Sequence, residues 1–235
     1  MNDTARQLPL ALRYPPDQRL DSFIEAPHGC IAQLRMLAEG HSKDWLYLQG
    51  AEAVGKTHLA LATCAATEVA GRRAAYLPLP AASGRLRSAL EALEANDLIA
   101  LDGLDAIAGS RDDEVALFDF HNRARNSHIV MLYTAQATPD VLALTLPDLR
   151  SRLSQCTRIA LSPLDDEGRR NILSERAQRR GLVIEGAALD WMLKRVDRDL
   201  ASLTTLLDQL DRASLAAQRR ITVPFLREFI GSGTL

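Results

Sequence analysis

Gly50-Ala51-Glu52-Ala53-Val54-Gly55-Lys56-Thr57 fits the pattern G-x-x-x-x-G-K-[ST], and it narrows the fold more than any other stretch of the chain. The pattern works at one kind of junction, where a buried strand delivers the chain to the first glycine and a helix opens at the Lys-Thr pair. Both flanks are present. Trp45-Leu46-Tyr47-Leu48 is a short apolar run that reads as a strand, ending at Gly50. Gly55 to Ala70 reads as a helix, with Leu59, Ala62, Ala66 and Val69 on one face and Gly71 as its stop. The residue types follow from the chemistry of a polyanion. Glycines let backbone N–H groups turn inward around phosphate oxygens, Lys56 neutralises charge, and Thr57 offers a hydroxyl to Mg2+. The helix that follows presents its positive end to the anion.

The rest of the first two thirds alternates strand and helix. Ala74–Leu79 reads as a strand and Leu86–Leu93 as a helix; Leu98–Leu101 is an apolar strand closed by Asp102. Asp112–Asn126 reads as a helix with acids in its first turn, followed by strands at Ile129–Thr134 and Thr157–Leu161. Five short apolar strands separated by helices predict an α/β fold, a five-stranded parallel sheet covered by helices on both faces. After Pro163 only helices are expected. Asp165 caps one that runs to Gly181, a second covers Gly186–Val196, and a third carries Leu200, Leu203, Leu207 and Leu210 at helical spacing. Pro224 sits in the first turn of a fourth. Residues 1–22, with Pro9, Pro15 and Pro16, read as a tail. The expected organisation is tail (1–22), nucleotide-binding α/β domain (23–162) and all-α lid (163–235).

Asp102 ends its strand 45 residues after Thr57, where an acid can orient a magnesium ion through water. Such an acid can also be a turn or cap residue. An active ATPase of this type carries a second acid directly afterwards to polarise the attacking water, and here that position is Gly103. Asp105 lies too far on to replace it, so unaided hydrolysis should be feeble. Thr134 closes the next strand, where a polar residue can sense a γ-phosphate or simply terminate the strand. Arg150 and Arg152 follow a Pro-led loop, and Arg198 lies where the third lid helix begins. By spacing alone, such arginines are usually solvated charge.

Composition excludes little but is useful. The chain has 28 Lys and Arg against 30 Asp and Glu, a net charge of −2, which disfavours DNA as a sole partner because phosphate neutralisation demands a basic face. Its three cysteines, Cys30, Cys64 and Cys156, are far apart and suggest neither a disulfide framework nor zinc. The first residues lack the apolar core of a signal peptide, and no run reaches 18 apolar residues, so a cytoplasmic, non-membrane protein is expected.

Several motifs resemble one family. Gly55-Lys56-Thr57-His58-Leu59 resembles the phosphate loop of DnaA-related AAA+ proteins, which typically ends GKTHL. Leu146-Pro147-Asp148-Leu149-Arg150-Ser151-Arg152-Leu153 resembles the box that holds their arginine finger. Residues 193–214 and Thr222-Val223-Pro224-Phe225 are similar to the lid of the Hda branch, and Gln7-Leu8-Pro9-Leu10 resembles its short clamp-docking peptide. The resemblance spans residues 7–231. It implies a negative regulator of replication initiation that holds ADP (or ATP) with Mg2+ and docks on the sliding clamp. It would reach DNA only through that clamp, and would stimulate hydrolysis of ATP bound to the initiator DnaA. It implies Gly50 to His58, Asp102, Thr134 and Arg198 around the nucleotide, with Thr57 and Asp102 toward the metal. Gln7, Leu8 and Leu10 would contact the clamp, and Arg152 would act in trans, with Arg150 as the competing arginine. Self-association is compatible with it. Ala53 departs from a glycine common in such loops, and Gly103 from the second acid. The rival readings are a self-sufficient ATPase, such as a helicase loader, and a DNA-binding adaptor.

Overall fold

The computed structural model describes residues 19–195, 206–207, 209–211, 213 and 220–231. Five strands form one sheet: β1 (Leu46–Gln49), β2 (Ala74–Pro78), β3 (Leu98–Asp102), β4 (Val130–Ala135) and β5 (Thr157–Ala160), in the order β2-β3-β4-β1-β5. β2, β3 and β4 pair in parallel, with Tyr76 opposite Ala100, Pro78 opposite Asp102 and Leu101 opposite Tyr133. Thr157 N–H donates to Trp45 O and Leu161 N–H to Gln49 O, so β5 also runs parallel to β1. Every residue of Leu98–Leu101 and of β4 is buried. Strands buried on both faces take apolar side chains at nearly every position, which is why Leu98–Leu101 and Val130–Tyr133 read as continuous runs; buried Thr134 is the polar exception and gives its hydroxyl to Asp102. β5, at the end of the sheet order, is exposed except at Ile159.

The helices of this part are α1 (Cys30–Glu39), α2 (Lys56–Val69), α3 (Leu79–Ala82), α4 (Leu86–Glu91), α5 (Arg111–Asn126) and α6 (Pro147–Ser154). α1 was not among the expected elements. It buries Cys30, Leu34, Leu37 and Ala38, a helical spacing, between left-handed Gly29 and Gly40. α2 starts as expected, but its buried face differs. Val69 is 90% exposed, while Thr63 and Thr67 are buried with Leu59, Ala60, Ala62 and Cys64. The threonines tolerate burial because each hydroxyl donates to a carbonyl one turn back, Thr63 to Leu59 at 2.6 Å and Thr67 to Thr63 at 2.8 Å. The Pro-led loop expected before Arg152 is itself helical: Pro147 stands at the first position of α6, where a missing N–H costs nothing.

The chain divides into two compact units, one comprising the residues up to Tyr47 with Thr57–Arg158, the other Leu48–Lys56 with Ile159 onward. The helices of the second unit are α7 (Asp166–Arg179), α8 (Gly186–Arg195) and α9 (Val223–Gly231). Asp165 caps α7 as expected, its carboxylate accepting from Gly168 N–H at 2.7 Å. Ala188, Met192, Leu206, Leu210, Ile221 and Leu226 form the core of this unit, with Leu207 also buried. Leu200 and Leu203 lie outside the described residues. One feature departs from the all-helical expectation: Ile184 and Ile221 make an isolated parallel bridge. Among the described residues no helix is long and apolar enough to cross a membrane.

Candidate nucleotide-binding site

The loop after β1 is built for close backbone approach. A Cβ on Gly50 would lie 2.4 Å from Leu161 O and 2.9 Å from Val54 Cγ2, so no other residue fits there. Gly55 has φ 95, and Ala53 also adopts a left-handed backbone, φ 60, which side chains disfavour. Lys56 reaches back over the loop and donates from Nζ to Gly50 O at 2.7 Å and to Ala51 O at 2.6 Å. Ala51, Glu52 and Ala53 are exposed, and Val54 is half-buried.

Thr57, in the first turn of α2, donates to Asp102 Oδ2 at 2.7 Å. Tyr76 donates to the same oxygen at 2.7 Å, and Thr134 donates to Oδ1. Gly103 N–H donates to the Thr134 oxygen at 2.9 Å. Asp102 is therefore the acceptor on which three hydroxyls converge. Burial, and then Asp102 beside it, push the Tyr76 phenol well above its usual range, so it stays a donor. Thr57 and Asp102, expected around one cation, do lie side by side, and Thr134 belongs to the same cluster.

Gly103 has φ 87 and ψ 59, a left-handed backbone that a residue with a side chain adopts only at a cost. Asp105 does not stand in for the missing acid, because both its oxygens accept from Gln136 N–H, at 3.2 and 2.9 Å. His58 points to the segment before α1. Its Nε2 lies 3.3 Å from Arg19 O and 3.5 Å from Ser22 Oγ, with its ring 5.4 Å from that of Phe23.

The two arginines of α6 differ. Arg150 donates to Leu144 O, whereas the guanidinium of Arg152, half-buried on the same helix, has no hydrogen-bond or ion-pair partner among the described residues. The loop before α6 is pinned by Glu114, fully buried on α5. Glu114 accepts from Gly109 N–H (2.8 Å), Thr145 N–H (3.0 Å), Thr145 Oγ1 (2.9 Å) and Leu146 N–H (2.6 Å). Burial pushes its carboxyl up, but these bonds outweigh burial and hold it below the usual carboxylate range. Gln7, Leu8, Leu10 and Arg198 lie outside the described residues. Tyr76 and Glu114 were missed in the sequence. Tyr76 reads as an ordinary strand residue until β2 is known to lie beside β3, and Glu114 as one more acid in a helix's first turn.

The loop's backbone amides and Lys56 are donors of the kind that bind phosphate, and the Thr57 hydroxyl and Asp102 carboxylate are oxygens of the kind that hold a divalent cation. Comparison with known proteins bears on the lid and on the fold. Residues 166–230 match the family model described as Hda, lid domain. Domain III of the replication initiation protein DnaA from Thermotoga maritima superposes with a TM-score of 0.75 at 18% identity, covering 93% of this chain and 98% of that one. Residues 166–230 are thus similar to the lid of Hda, and the fold is that of an AAA+ domain. A replication initiator DnaA bound to AMPPCP and single-stranded DNA gives a TM-score of 0.70 at 18% identity, covering 88% of this chain and 70% of that one. The Holliday junction branch migration motor RuvB of Thermotoga maritima gives 0.66 at 18% identity, covering 93% and 72%. At such identities the likeness shows the AAA+ fold, and the family match concerns the lid segment alone.

Proposed function

We propose that this AAA+ protein is an ADP-holding negative regulator of replication initiation, docked on the DNA-loaded sliding clamp, that stimulates hydrolysis of ATP bound to DnaA. In this reading residues 1–22 are a clamp-binding tail using Gln7, Leu8 and Leu10, with leucines that a groove could bury and a glutamine that could hydrogen-bond. Residues 23–162 hold nucleotide and 163–235 are the lid, from which Arg198 contacts the nucleotide's phosphates.

The observation that carries the reading is the asymmetry on α6. A residue that serves another subunit's phosphate must not be tied within its own chain, and among the described residues the Arg152 guanidinium has no hydrogen-bond or ion-pair partner, whereas Arg150 donates to Leu144 O. Gly103 supports the same direction, because the chain lacks the acid that would polarise its own water. Lys56, now on the Gly50 and Ala51 carbonyls, would hold phosphate oxygens, and Thr57 and Asp102 would hold the cation, the hydroxyl keeping its proton on the carboxylate. Mg2+ would supply charge neutralisation between the phosphates. Arg152 offers its planar guanidinium to the partner's transferring phosphoryl group; trans arginines of this kind contribute roughly 10³–10⁵ in rate in GTPases.

The test is hydrolysis of initiator-bound ATP with clamp and DNA present. The parent chain accelerates it and Arg152→Ala does not, while both retain ADP and clamp binding. Stimulation by Arg152→Ala equal to the parent's overturns the reading, as does rapid turnover of ATP by the isolated chain.

A further inference from the structure

We propose that Tyr76 is a positioning residue for the metal side of this site: its phenol keeps the Asp102 carboxylate in one orientation while the Thr57 hydroxyl, which shares the same carboxylate oxygen, takes up a divalent cation. The inference rests on the nucleotide reading above and extends it to a residue on a different strand.

Asp102 Oδ2 receives two hydroxyls, from Thr57 and from Tyr76, both at 2.7 Å. Oδ1 receives one, from Thr134. A hydroxyl has a single proton to give. Thr57 can keep that proton on Asp102 and offer an oxygen lone pair to a cation, so its hold on Oδ2 shifts with the ligand that it takes up. Thr134 would then be the one other hydroxyl on Asp102 from outside the phosphate-loop helix, and a single such contact leaves the carboxylate able to turn about its terminal torsion, which is soft. Tyr76 supplies the second point. It arises from β2, the strand next to β3, where it lies opposite Ala100, two residues before the Asp102 partner Pro78. A side chain on a neighbouring strand is fixed by the sheet and does not move with the phosphate loop. Partners of metal-orienting groups typically change metal affinity by about 10–100-fold when removed.

Tyr76→Phe removes the hydroxyl and keeps the ring. Binding of a fluorescent ADP analogue is measured against increasing Mg2+ and, separately, in EDTA. The expected result is that the Mg2+ concentration giving half the cation-linked gain rises by about tenfold in Tyr76→Phe. Affinity in EDTA stays within about twofold of the parent's, because no phosphate contact is lost. Asp102→Asn, as the positive control, loses the Mg2+-linked gain. An unchanged Mg2+ midpoint in Tyr76→Phe overturns the inference. So does an equal loss in both buffers with a lowered melting temperature, which would make Tyr76 a packing residue. If the parent binds the analogue in EDTA but gains nothing from Mg2+, the inference fails while the phosphate loop stands. If the parent binds in neither buffer, the nucleotide reading itself fails.

Discussion

Arg150 donates from Nη2 to the carbonyl of Leu144, on the loop that leads into α6, while Arg152 on the same helix donates to no described residue. The Nε of Arg150 is also buried without a partner. A guanidinium enclosed in this way belongs to the folded structure, and its neighbour does not. Arg150→Ala should therefore destabilise the chain by about 1–3 kcal/mol, the cost of stranding a buried acceptor and losing the packed stem. Arg152→Ala should stay within about 0.5 kcal/mol of the parent. Urea denaturation of the two variants checks this, and the opposite ranking would reverse the assignment of the two arginines.

Glu114 joins α5 to the segment leading into α6 by accepting three hydrogen bonds from Thr145 and Leu146, and a fourth from Gly109 just before α5. In Glu114→Gln one of the oxygens becomes an NH2 facing donors, so at least one bond is replaced by a clash of donors. A loss of about 1–3 kcal/mol is expected in urea denaturation. The carboxyl's folded pKa lies below its ordinary 4.5. Its contribution is therefore fully present above pH 4.5 and fades as the pH falls below that value. A variant as stable as the parent at pH 7 would show that the network contributes nothing.

His121 is fully buried, with Nδ1 3.0 Å from the Tyr133 hydroxyl and its ring centroid 4.4 Å from that of Trp45. Burial first, then the charges of Arg125 and Arg152, push its pKa down from 6.5 to about 4. The folded chain thus prefers the neutral ring, and the unfolded chain binds the proton first as pH falls. Stability attributable to His121 is intact above pH 6.5 and is lost on descending from there to about pH 4, by roughly 3 kcal/mol at 1.36 kcal/mol per pKa unit. His121→Phe should flatten this part of the stability-versus-pH curve relative to the parent. Parallel curves for the two proteins between pH 6.5 and 4 would show the ring carries no such linkage.

Ala53 holds φ 60 in the phosphate loop, where a glycine would sit without strain. Ala53→Gly removes a left-handed penalty of about 1–2 kcal/mol but gains unfolded-chain entropy of about 0.4–1 kcal/mol. The net expectation is a gain of roughly 0.5–1 kcal/mol in chemical denaturation. Gly103→Glu runs the other way. With φ 87 at that position, restoring an acid should cost about 1–2 kcal/mol of stability and should not by itself create an active ATPase. Vigorous turnover by Gly103→Glu would mean that the missing acid was the sole obstacle.

The sequence by itself determined those features whose causes lie within a few residues. The strand, glycine loop and helix around Lys56 are a local pattern, as are the apolar runs Leu98–Leu101 of β3 and Val130–Tyr133 of β4 and the Asp165 cap of α7. The helix at Cys30–Glu39 was equally local, with Leu34, Leu37 and Ala38 at helical spacing, and could have been read. The tertiary structure alone decided which residues share a neighbourhood. Spacing pointed to Val69 as a buried residue of α2, but the covered arc ends at Thr67 because back-bonded threonines bury as readily as alanines there. Sheet order, not sequence distance, brings Tyr76 from β2 and Thr134 from β4 to the two oxygens of Asp102. Arg150 and Arg152 are chemically identical and two residues apart. Only the path of the loop ending at Leu146 separates them, because it offers the Leu144 carbonyl to one guanidinium and none to the other.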